Sequence, residues 1–231
     1  MMKKYLYLIL LITVALSISA CAPQRISKQE AFPKMYEEAP QSILVVPAVN
    51  QSTAADAPDL YSSTIAQPLA YSGYYVMPIE VTTAILRSEG IQSGAQLTDV
   101  PPQKFKEFFD ADAVLYVTIT QWDTNYYVVG GNVTVGVQYL LKSTETGETL
   151  WNYHDTRAVD TSGDANNGLL AAIIVTAIKT ATQDYVPVAS QVNFAAINTM
   201  PLGKYHPKQG KDGQFKVVSP AKIDSGDKAV N

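Results

Sequence analysis

Side chains able to do chemistry are few in this chain: one cysteine, Cys21, and two histidines, His154 and His206. A thiol acts as nucleophile, metal ligand or attachment point, and an imidazole as general base or metal ligand. Spacing narrows the choice, because the chain has no HExxH, no GxSxG, no glycine-rich phosphate loop and no second cysteine to complete a metal pair. The nearest approach to a catalytic trio is His154, Asp155 and a serine such as Ser162. Consecutive residues of a strand point to opposite faces, which separates His154 from Asp155. The expectation is a protein that is not an enzyme, with no catalytic residue, cofactor or metal.

The position of Cys21 says more than its chemistry. Lys3 and Lys4 precede an apolar run from Tyr5 to Ile18 that ends in small residues, the pattern of a secretory leader over residues 1–20. The run is shorter than the ~20 residues of a membrane-spanning helix. The tetrapeptide Ile18-Ser19-Ala20-Cys21 resembles the lipobox of bacterial lipoproteins, in which the cysteine takes a lipid and becomes the first residue of the mature chain. That resemblance implies acyl chains such as palmitate on Cys21, and two membrane signals already suffice for stable anchoring. A retained anchor helix and a free thiol after cleavage stand as the other readings. Ala22 lies where, in many lipoproteins of Gram-negative bacteria, an Asp favours inner-membrane retention, so the resemblance implies the outer membrane, with the leaflet left open.

Without the leader, 211 residues remain, enough for one well-filled core. They carry 15 basic and 21 acidic residues, a balance that disfavours nucleic acid. The distribution is uneven. Gly203 to Asn231 carries a net +3 and Cys21 to Leu202 a net −9. Residues 21–41 are polar, hold Pro23, Pro33 and Pro40, and lack a hydrophobic period, which reads as a lipidated flexible tether. Residues 203–231 read as a polar, lysine-rich disordered tail able to touch anionic headgroups or cell wall.

Between them, residues 42–202 read as one α/β domain. "SILVVPAVN" is a strand buried on both faces. A helix follows from Asp56 or Asp59 to Gly73, then a short strand "YYVMP", and a helix with Val81, Ala84, Ile85 and Ile91 inward. A further helix brings Phe105, Phe108 and Phe109 inward. The second half changes to a period of two. Leu115, Val117 and Ile119 alternate with Tyr116, Thr118 and Thr120, Gly130-Gly131-Asn132 makes a turn, and Val133, Val135, Val137 and Tyr139 share a face. "TETGET" leads to a third strand, giving an antiparallel meander, and "DANNGLLAAIIVTAIK" starts a helix that breaks near Pro187 and resumes to Met200.

The lipobox with "ILVVPAVNQST", "DAVLYVTITQWD" and "TGETLW" is similar to a bacterial lipoprotein family of unknown function, distantly related to the curli-secretion channel lipoproteins and the TolB N-terminal domain. The resemblance spans Ser42 to Met200. It implies a single mixed sheet with helices packed on it, TolB N-terminal-domain-like, and an accessory role in an envelope assembly or secretion complex. Activation of a peptidoglycan synthase and a periplasmic hydrolase are the alternatives. Expected partners are the membrane, through lipid on Cys21, and envelope proteins, among them a curli-channel-like lipoprotein or a second copy. The candidate partner-binding residues are Trp122, Tyr126, Tyr127, Val128 and Val129, an aromatic and branched run at a hairpin tip.

Overall fold

The computed structural model describes residues 25–127, 130–160 and 185–218, with side chains excepted at 125–131 and 160. The leader, Cys21, Val128, Val129, Ser162 and the expected helix start near Asp164 lie outside the described residues.

The chain opens with strand β1 (Arg25–Ser27), helices α1 (Lys28–Ala31) and α2 (Pro33–Glu38), and strands β2 (Ser42–Val45) and β3 (Val49–Asn50). Helix α3 (Ala57–Tyr71), strand β4 (Tyr75–Val76), helix α4 (Ile79–Ser88), a 3₁₀ turn at Gly94–Leu97 and helix α5 (Gln103–Phe109) come next. The meander is β5 (Ala113–Tyr127), β6 (Gly130–Ser143) and β7 (Thr149–Asp160). Helix α6 (Val186–Ile197) and strand β8 (Lys216–Val218) follow.

One mixed sheet runs in the order β4-β2-β5-β6-β7, with β3 also paired to β5. β2 is parallel to β4 and β5, and the β5–β6–β7 ladders are antiparallel. This is the mixed α/β sheet the pattern predicts. β2 is buried on both faces: Ile43 and Val45 join the core under α3 and α6, while Leu44 and Val46 join a second cluster with Leu86, Leu97, Phe105 and Val114. Helices thus cover both faces of the parallel half.

A kink at Pro47 and Ala48 separates β2 from β3, and the 3₁₀ turn presses on it. A Cβ at Gly94 would stand 2.1 Å from the Pro47 carbonyl oxygen, so only glycine fits.

Parity in β5 changes midway. Leu115, Val117 and Ile119 face the main core, but the register with β6 slips between Ile119 and Gln121. This β-bulge spends one residue without a partner, so Trp122 lands on the core face that odd-numbered residues held before it.

Four sequence expectations about the helices and the two ends of the described chain are corrected here. The buried face of α4 is Ile79, Thr82 and Leu86, leaving Val81 and Ile85 exposed. Phe108 of α5 points to solvent, because only Phe105 and Phe109 reach the second cluster. Residues 25–41 are no tether: Ser27 caps α1 in a capping box with Glu30, and Phe32 and Met35 enter the core. Residues 203–218 are no disordered tail, since β8 pairs antiparallel with β1, Arg25 opposite Val218 and Ser27 opposite Lys216.

Candidate functional site

Residues from both ends of the described chain meet at one end of the fold. Ser27 Oγ accepts from Glu30 N (3.2 Å) and the Glu30 carboxylate accepts from Ser27 N (2.9 Å), which starts α1 beside β1. That start turns Lys28 inward. Its ammonium donates to the Met200 carbonyl oxygen at 2.5 Å and lies 3.6 Å from Asp212 Oδ2. The two side chains are 5% and 1% exposed. Asp212 Oδ2 also accepts from Leu202 N (2.9 Å), and Tyr74 donates to the Pro201 carbonyl (2.6 Å). Burial pulls the Lys28 pKa below the ordinary lysine range, against the opposing pull of the Asp212 charge. Burial first, and the Asp212 charge second, push the Tyr36 and Tyr74 phenols well above the ordinary tyrosine range.

Only three residues, Ala22 to Gln24, lie between the candidate lipid site, Cys21, and β1, four steps of the chain in all. Fully extended they reach at most about 14 Å. Composition hid this arrangement, because one buried ion pair and backbone turns leave no hydrophobic period. The one available signal was Ser27-Lys28-Gln29-Glu30, an S-x-x-E helix start before an apolar residue.

The expected hairpin site divides. Trp122 is 1% exposed and stacks on Tyr185 with ring centroids 5.1 Å apart, so it is a core residue. The bulge is the reason. Thr124, on the same face, donates to the Tyr185 hydroxyl at 2.5 Å. Tyr126 and Tyr127 pair with Gly131 and Gly130 at the far end of the ribbon. Among the described residues β7 accompanies β6 as far as Asn132 opposite Asp160, and the hairpin reaches a few residues further.

His154 is exposed on β7, and the carboxylate of Asp155 accepts from Arg157 Nε at 2.9 Å instead. His206 lies against Gly73, far in sequence from His154, and accepts at Nδ1 from Lys208 N (3.0 Å). No group of His, Cys, Asp and Glu among the described residues is placed to hold a metal. A cleft of about 200 Å³ opens at the carboxyl end of β2, lined by Pro47, Asn50, Pro58, Ser62, Thr83 and Arg87. Ligands of open α/β sheets bind at such strand ends, but here Arg87 is answered across the rim by Asp59 at 3.4 Å. Past Tyr116 the face of the meander opposite the main core carries Thr118, Gln138, Leu140, Lys142, Asn152 and His154, all exposed or half-buried.

The chain is similar to several known proteins. The family described as "Putative lipoprotein GNA1162-like" matches residues 31–208. The protein named "Putative lipoprotein NMB1124/NMB1162" from Neisseria meningitidis serogroup B (strain ATCC BAA-335 / MC58) is 32% identical over 167 residues, 72% of this chain and 77% of that protein. The crystal structure of lipoprotein GNA1162 from Neisseria meningitidis superposes with a TM-score of 0.52 at 32% identity, covering 61% of this chain and 96% of that one. A PelC dodecamer variant from Paraburkholderia phytofirmans matches at a TM-score of 0.45 and 16% identity, over 72% of this chain and 91% of that one. With its matched residues running from the end of α1 through α6 to the turns beyond it, this chain belongs to the family described as "Putative lipoprotein GNA1162-like".

Proposed function

We propose that the chain is lipidated at Cys21 and held at the outer membrane with its domain in the periplasm, where it binds another protein as an accessory of an envelope assembly or secretion complex. The observation that carries this reading is the continuity of the N-terminus: a lipobox-like tetrapeptide, in a member of a lipoprotein family, runs within four residues into a strand of the fold. The domain therefore works at the membrane surface. Binding rather than catalysis is supported by the long meander, whose outer face no helix covers past Tyr116 among the described residues, and by the aromatic hairpin end beyond it.

Two measurements test it. Metabolic labelling with a fatty-acid probe should mark the wild-type chain and not Cys21→Ser, and a labelled Cys21→Ser chain would remove Cys21 as the lipid site. Cross-linking in intact cells, followed by mass spectrometry, should recover a defined partner or a second copy, lost on polar replacement of Tyr127 and Val129. A chain recovered alone and monomeric, or a partner equally retained by that variant, would overturn the binding role of the hairpin.

A further inference from the structure

Where the chain enters the fold, the surrounding surface is basic and aromatic. Arg25 stands opposite Val218, and Ser27 opposite Lys216. Lys28 N donates to the Phe215 carbonyl oxygen at 2.8 Å and Gln29 N to that of Gly213 at 3.1 Å, which brings residues 213–218 against the N-terminal segment. The preceding turns place Lys211 and Lys208 next to them, Lys211 N donating to the Lys208 carbonyl at 3.1 Å. Arg25, Lys208, Lys211 and Lys216 are exposed. The acid within residues 203–218, Asp212, is buried with Lys28. The acid nearest on the other strand's side is Glu30, whose carboxylate is held in the Ser27 cap and feels the charge of Lys216. Among these cations stand exposed apolar side chains, Tyr205 at 63%, Phe215 at 58% and Val218 at 47%.

We propose that this face, formed by β1, β8 and the turns from residue 205 to 215, lies on the anionic headgroups of the bilayer that holds the N-terminus. The proposal rests on the anchoring reading above for the place of the N-terminus. Three observations fix the occupant. Four residues of reach, at most about 14 Å, keep Arg25 within the headgroup layer or just above it. The face is positive while Cys21 to Leu202 carries a net −9, so an anionic surface attracts this end and repels the rest. Tyrosine and phenylalanine beside lysines suit an interface, where rings sit at headgroup level and lysines snorkel to the phosphates. The result is a fixed orientation, with the meander and its hairpin turned away from the lipid toward the envelope space.

The test is lysine acylation of the full chain, extracted from membranes with its own anchor and reconstituted into phosphatidylglycerol-containing vesicles or into vesicles of phosphatidylcholine alone. Each basic residue at an anionic surface strengthens contact about fivefold. Lys208, Lys211 and Lys216 should therefore acylate severalfold more slowly in the anionic vesicles than in the neutral ones, with high salt removing the difference, while Lys34 and Lys104 stay unchanged. Equal rates in both vesicles would overturn the proposal. So would protection that persists in neutral vesicles, which would mean that a second copy or another protein covers the face. The mass of the N-terminal peptide reports the lipid on Cys21 separately. A chain held by an uncleaved leader still brings Arg25 to the bilayer, so failure of lipidation and failure of this face are distinguishable.

Discussion

Lys28 crosses from the first helix to put its ammonium 3.6 Å from the carboxylate of Asp212, and the pair closes the two ends of the described chain over the Met200 carbonyl. Removing one partner of such a buried pair leaves an uncompensated charge, at a typical cost of about 3 to 5 kcal/mol. Asp212→Ala should lower stability by that order in chemical denaturation. Lys28→Met with Asp212→Leu should recover most of it, short of the contribution lost at Leu202 N, which would then lack its acceptor.

Trp122 and Tyr127 lie five residues apart on one strand and should answer differently to substitution. Trp122→Ala removes a ring packed on Tyr185 in the main core and should cost about 3 to 5 kcal/mol. Tyr127→Ser, at the end of the ribbon, should leave the melting temperature within a degree or so of wild type and act on association alone.

A buried polar chain links α3, α6 and β6. Tyr139 OH donates to Asn193 Oδ1 at 2.6 Å, and Asn193 Nδ2 donates to Thr64 Oγ1 at 2.8 Å. Asn193→Leu would strand the Tyr139 hydroxyl and should cost about 1 to 3 kcal/mol. Tyr139→Phe made in the same chain should reduce that loss, a non-additivity that a double-mutant cycle reads directly.

Asp112 joins the start of β2 to α5. Burial opposes its ionisation, but donors from Gln41 N, Ser42 N, the Ser42 hydroxyl and Lys106 prevail and hold its pKa below the usual carboxylate range. A carboxyl depressed in the folded state contributes stability that is complete above its unfolded pKa, near 3.9, and is lost as pH falls through the folded value. The stability difference between wild type and Asp112→Asn should thus be full at about pH 6 and shrink below about pH 4. Melting curves across that range check it, and a difference independent of pH would remove Asp112 as the cause.

Much of the sheet was legible because its side chains alternate or run continuously apolar: "SILVVPAVN" fills both faces, and Val133, Val135, Val137 and Tyr139 all enter one core. Gly73 and Gly147 mark chain reversals at positive φ, as their neighbours suggested. Legibility failed where backbone geometry overrides pattern. The bulge after Ile119 moves Trp122 from an expected surface patch into the core, and no residue type announces it. On α4, Thr82 is buried because its hydroxyl bonds the Ile79 carbonyl within the helix, so a polar letter concealed the inward face. Lys28 and Asp212 are charged letters in polar stretches, and neither letter alone announces the buried pair they form.

The pairing of β1 with β8 also determines how mechanical load travels. If Cys21 carries the proposed lipid, a pull on it would enter the described fold at Arg25 and meet the three β1–β8 pairs, then the Lys28–Asp212 contact, before reaching α6 and the large sheet. In that case β8 would act as a strain relief for β1. A chain cut short before Asp212 would pass the same load straight to Phe32 and Met35 in the core.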